Sequence, residues 1–91
     1  MAAERLIIQG RVQGVGYRAW AVDQARRLGV RGWVRNRTDG TVEMLAAADD
    51  EALDRFVAIC KEGPPAANVT RIDREASDPP SKDGFVQRPT A

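Results

Sequence analysis

Gly10-Arg11-Val12-Gln13-Gly14-Val15-Gly16-Tyr17-Arg18 joins a short apolar run to a helical pattern and holds three glycines. Glycines let a loop turn tightly and aim consecutive backbone N–H groups into one concavity. A helix opening at Tyr17 adds the positive end of its dipole behind them. Arg18, at that helix start, can set its guanidinium fork against two phosphate oxygens. The chemistry within reach of such a loop is phosphate binding. It is not a Walker loop, because no Gly-Lys-Ser/Thr follows. A glycine-rich connection with a solvent-exposed arginine is the alternative, and the loop alone leaves it open.

The second informative segment is Gly32-Trp33-Val34-Arg35-Asn36-Arg37-Thr38-Asp39-Gly40-Thr41-Val42. Asn36 ends a strand-like stretch just before a turn. Taken alone, its side chain suits local hydrogen bonding within that turn.

Composition narrows the chemistry further. The 91 residues contain no histidine and one cysteine, Cys60. That removes Ser-His-Asp and Cys-His nucleophile systems, histidine bases and most zinc sites, and it precludes an intramolecular disulfide. Arginine, asparagine, carboxylates, hydroxyls and backbone amides are what remain. Residues 1–40 carry eight arginines against Glu4, Asp23 and Asp39, whereas residues 41–91 carry six Lys/Arg against ten Asp/Glu. A basic N-terminal half suits a small anionic ligand, though a dipolar surface without one would look the same. No apolar run approaches the roughly 20 residues that span a bilayer, and the start lacks a signal-peptide layout, so the expectation is a cytoplasmic protein.

The elements that must position these residues follow from local pattern. Leu6-Ile7-Ile8 suits a strand, and residues 9–16 a loop. Tyr17, Ala21, Ala25 and Leu28 recur at helical spacing up to Gly29, a fitting stop. Val30 to Arg35 is strand-like, Asn36 to Gly40 is a turn with Asp-Gly as its signal, and Thr41 to Leu45 returns as a second strand. Asp49 or Asp50 can cap a second helix whose apolar stripe is Leu53, Phe56, Val57 and Cys60, ended by Gly63-Pro64-Pro65. Val69 to Ala76 reads as a strand, Ser77 to Gly84 as a loop, and Phe85 to Gln87 as a short edge strand that could be a fifth. The order predicts an α+β fold: a ferredoxin-like βαββαβ sandwich, one domain over residues 1–91. Two helices lie on one face of a four-stranded antiparallel sheet. Cys60, Trp20 and Trp33 are expected to pack, Asp49-Asp50-Glu51 to serve the helix start, and Arg26-Arg27 to lie on a solvated face.

Together the two segments resemble the signature stretches of the acylphosphatase family. Gly10 to Arg18 matches Gly-x-Val-Gln-Gly-Val-x-(Phe/Tyr)-Arg in full. Gly32 to Val42 matches Gly-(aromatic)-Val-(Lys/Arg)-Asn-x-x-x-Gly-x-Val. Gly63 to Val69 looks like the family's turn after the second helix. The resemblance covers nearly the whole chain. Ala48 departs from it, standing where the family usually has glycine, and the stretch from Ser77 matches loosely. The resemblance implies hydrolysis of acyl phosphates without metal or cofactor. Arg18 would bind the phosphate and Asn36 would position the attacking water. Gly14 and the backbone amides of Val15, Gly16, Tyr17 and Arg18 would complete the cradle. The implied partners are a small acyl phosphate and the product, inorganic phosphate, with no nucleic acid or membrane, and nothing requires more than a monomer.

Two other classes remain to be weighed. A ferredoxin-like domain can bind single-stranded RNA on its sheet face, but that mode stacks bases on aromatics of the central strands. Leu6-Ile7-Ile8 supplies none. A regulatory or assembly module of a larger system is the other, and both signature residues in one small chain speak against it.

Overall fold

The computed structural model describes residues 2–91. Seven elements run in the order β1 (Ala2–Arg11), α1 (Tyr17–Leu28), β2 (Arg31–Asn36), β3 (Val42–Ala48), α2 (Asp50–Glu62), β4 (Asn68–Ala76) and β5 (Phe85–Gln87). They form one sheet in the order β4-β1-β3-β2-β5. The β1–β3, β1–β4 and β2–β3 pairs are antiparallel, giving the expected four-stranded antiparallel sheet. Phe85–Gln87 does form the fifth strand, and it joins β2 in parallel, pairing Gly32 with Phe85 and Val34 with Gln87.

Both helices pack on one face. Leu6 and Ile8 of β1, Val34 of β2, Met44 and Ala46 of β3 and Phe85 of β5 meet Tyr17, Ala21 and Ala25 of α1 and Leu53, Phe56 and Cys60 of α2 in one core cluster. The period-2 alternation of the strands puts their other side chains on the open face. There Glu43, 4% exposed, takes a hydrogen bond from Arg5 Nε at 2.6 Å and another from Arg35 Nε at 2.7 Å. Trp33 stands on that face too, with the Arg35 and Arg88 guanidiniums stacked 4.8 and 4.9 Å from its ring centre.

Strand ends differ from the local pattern for a nonlocal reason. β1 reaches well beyond Leu6-Ile7-Ile8 because it lies between β3 and β4 and is paired along both edges. Gly10 permits the close approach of β4 at its far end. Its φ is +121°, and a Cβ there would collide with the Asn68 carbonyl. β3 likewise runs on to Ala48, which is buried and pairs with Ala2. The position that departs from the family pattern is thus the last residue of a strand. Helix boundaries follow the local signals. Gly29 closes α1 with a left-handed φ of 70°. Asp49 caps α2, its Oδ1 accepting from Ala52 N at 2.8 Å.

Candidate active site

The connection from β1 to α1 ends in Gly16, whose φ of 77° and ψ of 18° turn the chain into the helix. Only glycine adopts this left-handed conformation without strain. A glycine has no side chain with which to cap, and α1 has neither a capping side chain nor an acidic residue in its first turn. The backbone N–H groups from Gly14 to Arg18 donate to no other described residue. The contrast with α2 is direct, since that helix has Asp49 as cap and Asp50 and Glu51 in its first turn. An unsatisfied helix start is a concentration of donors and positive potential.

A cavity of about 150 Å³ opens at this helix start, lined by Val12, Gly14, Gly16, Tyr17, Arg18, Ala19, Asn36 and Gln87. Arg18 is half-buried and forms no ion pair or hydrogen bond among the described residues. Most arginines behave differently: Arg5, Arg35, Arg37, Arg55, Arg71 and Arg74, among others, lie within 4 Å of a carboxylate. Asn36, the last residue of β2, brings its side chain to the same cavity, and its Oδ1 is buried without a hydrogen-bond partner. Buried polar atoms are normally satisfied, so an orphaned acceptor beside an uncommitted guanidinium marks a place built for something else.

Two devices hold the halves of the site in register. Gln13 Nε2 donates to the carbonyls of Arg37 and Thr41, both at 2.8 Å, tying the glycine loop to the β2–β3 turn. That turn is closed by Arg37 N to Thr41 O at 2.9 Å, and by Thr41 N and Oγ1 donating to Asp39 Oδ1 at 3.0 and 2.6 Å. Beyond β5 the chain runs on beside β2, where Ala91 N donates to Asn36 O at 3.0 Å and Thr38 N to Ala91 O at 2.9 Å. The backbone of Asn36 is therefore gripped from its edge side.

The expected residues are thus largely brought together: Gly14, Gly16, Tyr17, Arg18 and Asn36 share one wall. Val15 lies outside that wall, its side chain packed against the core. Tyr17 reaches the cavity without offering its hydroxyl, which donates to the Cys60 carbonyl at 2.7 Å and anchors α1 to α2. Burial, with the neighbouring Cys60, pushes the Tyr17 phenol far above its ordinary range. Burial likewise pushes the Cys60 thiol up to about 12, as suits a core residue. Gln87 and the clamping role of Gln13 were not legible, because both depend on contacts between segments far apart in sequence. No group of three or more His, Cys, Asp and Glu side chains able to hold a metal ion occurs among the described residues.

A site of this make suits a small anion, and the frame beneath it is ferredoxin-like. The family model Acylphosphatase matches residues 4–87. An acylphosphatase of Acidiphilium cryptum is 52% identical over 90 residues, covering 99% of each chain. One of Rhizorhabdus wittichii is 47% identical over 88 residues, covering 97% of this chain and 89% of the relative. The crystal structure of acylphosphatase from Bacillus subtilis superposes with a TM-score of 0.91 at 39% identity, covering 97% of this chain and 99% of that one. The chain belongs to the acylphosphatase family.

Proposed function

We propose that this protein hydrolyses acyl phosphates to a carboxylate and inorganic phosphate. Arg18 and the amides from Gly14 to Arg18 hold the phosphoryl group, and Asn36 orients the attacking water. It works as a monomer of one domain in the cytoplasm, without cofactor, metal or nucleic acid. The observation that carries this reading is the shared cavity at the uncapped start of α1, into which uncommitted Arg18 and orphaned Asn36 Oδ1 both turn.

The reaction needs little from such a site. Water attacks phosphorus, the phosphorus–oxygen bond to the acyl group breaks, and the carboxylate leaves with the bonding pair. The conjugate acid of that leaving group has a pKa near about 4, so it departs without protonation and requires no general acid. Phosphoryl transfer proceeds through a loose, metaphosphate-like transition state with little bonding to the nucleophile. The water then needs placement more than deprotonation, and an amide oxygen can align it by accepting one of its hydrogens. The one proton transfer the reaction needs is met by a phosphoryl oxygen, which takes the proton the water loses. Charge on the equatorial oxygens falls against the guanidinium and the helix-start amides, which are already in position and need not reorganise.

A continuous assay of benzoyl phosphate hydrolysis by the purified protein tests this reading. Turnover is expected to persist in EDTA, because arginine and backbone supply the positive potential. A strict requirement for added magnesium or zinc would contradict the mechanism.

A further inference from the structure

We propose that Gln87 is a leaving-group residue: its side-chain amide contacts the acyl carboxyl as that group separates from phosphorus. The inference rests on the reading of the chain as an acyl phosphate hydrolase and extends it to the half of the substrate that the cradle does not touch.

The cavity has few polar side chains to distribute. Arg18 and Asn36 are taken by the phosphoryl group and the water. Tyr17 has its hydroxyl committed to the Cys60 carbonyl. Val12 and Ala19 have no polar side-chain atom. Gln87 is the remaining side chain of the wall with hydrogen-bonding capacity, and it makes no side-chain hydrogen bond among the described residues. Strand alternation aims it at the site. Phe85 is buried in the core on the helix face, while Val86 and Arg88 border a separate cavity on the open face. Gln87 therefore shares the face of Phe85 and looks toward the start of α1.

Depth decides which part of the substrate it meets. Asn36 Oδ1 lies buried and Arg18 half-buried, whereas Gln87 is exposed on an edge strand. A phosphoryl group seated on the helix-start amides leaves the acyl portion directed outward, past the rim. An amide N–H at the rim can donate to a carboxyl oxygen, and this bond strengthens as negative charge develops there during cleavage. The neutral amide adds no charge to the phosphate cradle, so its removal leaves phosphate binding alone.

The test compares wild type, Gln87→Leu and Gln87→Glu on benzoyl phosphate and on ring-substituted benzoyl phosphates spanning a range of leaving-group acidity. Inorganic phosphate inhibition is measured on each. Gln87→Leu is expected to lose roughly three- to tenfold in kcat/KM, the value of one rim hydrogen bond. Its rate should also depend more steeply on leaving-group acidity, while the phosphate inhibition constant stays within twofold of wild type. Gln87→Glu, which keeps the shape but replaces the donor with a negative charge, should lose more. Melting temperatures report folding, and an exposed edge residue should leave them nearly unchanged. Unaltered kcat/KM and leaving-group dependence in Gln87→Leu would overturn the inference. So would a phosphate inhibition constant that rises in step with the loss, which would put Gln87 on the phosphate. Failure of wild type itself to hydrolyse any of these substrates would instead overturn the function on which the inference stands, and the inference with it.

Discussion

Arg18 and Asn36 owe their standing to what they do not touch. The side chains that brace the segments carrying them are committed, Gln13 to two carbonyls and Asp39 to Thr41, whereas Gln87 is the other uncommitted polar side chain of the cavity. In the proposed mechanism the side chain of Gln13 is a positioning element rather than a reacting one. It links the loop that carries the cradle to the turn that follows Asn36. Gln13→Ala should therefore lower kcat by roughly tenfold or more, since a displacement of about 1 Å between reacting groups is costly. Phosphate inhibition should be retained, and stability should fall by only about 1–2 kcal/mol for two part-buried hydrogen bonds. Kinetics and thermal unfolding of the same preparation check this. A loss of stability with unchanged kcat would make the clamp purely structural. Arg18 and Asn36 were legible in the sequence only when their two segments were read together as the family's signature stretches, because alone each setting also suits a plain loop or turn. The clamp was not, since Gln13 meets Arg37 and Thr41 only once strands β1, β3 and β2 have paired.

At the scale of elements, the two helices begin in opposite ways. α2 satisfies its first turn with Asp49 and places Asp50 and Glu51 against its positive end, whereas α1 starts on Gly16 with nothing. The first arrangement stabilises the fold, and the second, in the proposed function, leaves donors for an anion. Asp49→Ala should accordingly cost about 1 kcal/mol and lower Tm by roughly 4–8 °C, with kcat on benzoyl phosphate unchanged. Differential scanning calorimetry with a parallel assay checks it, and a large fall in kcat would mean that the α2 start communicates with the site. Starts and stops such as Gly29, Asp39-Gly40 and a cap at Asp49 or Asp50, which the structure places at Asp49, were readable because caps and turns are local chemistry. The reach of β1 to Ala2 and Arg11, the extension of β3 to Ala48 and the parallel docking of β5 on β2 were not. Those are decided by partners distant along the chain. β5 in particular has three residues of weak pattern, fixed by Gly32, Trp33 and Val34 beside it and by Phe85 in the core.

On the scale of the whole molecule, the sheet separates a working face from a bracing face. Glu43 is held on the latter by arginines from both neighbouring strands, and one of these, Arg35, immediately precedes Asn36. Burial alone would raise the Glu43 carboxyl, but the hydrogen bonds and charges of Arg35 and Arg5 outweigh it and lower it below the usual range. A carboxyl depressed in the folded state contributes stability that is present above its unfolded pKa of about 4.3 and is lost as pH falls through the folded value. Glu43→Gln should therefore be less stable at neutral pH by about 1–2 kcal/mol. That is less than a fully buried pair would lose, because the arginines keep access to water. It should also show a flatter decline below about pH 4. Denaturant unfolding from pH 3 to 7 checks both, and parallel pH profiles in wild type and variant would remove Glu43 from the account.

The proposed catalysis also belongs to the whole fold, because the two side chains assigned to it come from different elements and line one cavity only in the assembled sheet and helix. The central claim is a division of labour between them. Steady-state hydrolysis of benzoyl phosphate by wild type, Asn36→Ala and Arg18→Ala, with inorganic phosphate as competitive inhibitor, measures it most directly. Asn36→Ala is predicted to lose on the order of a hundredfold or more in kcat while keeping its phosphate inhibition constant. Arg18→Ala is predicted to lose both turnover and phosphate affinity, because a charge-assisted contact is removed from ground and transition states alike. Near-normal turnover in Asn36→Ala, or undiminished phosphate inhibition in Arg18→Ala, would contradict it.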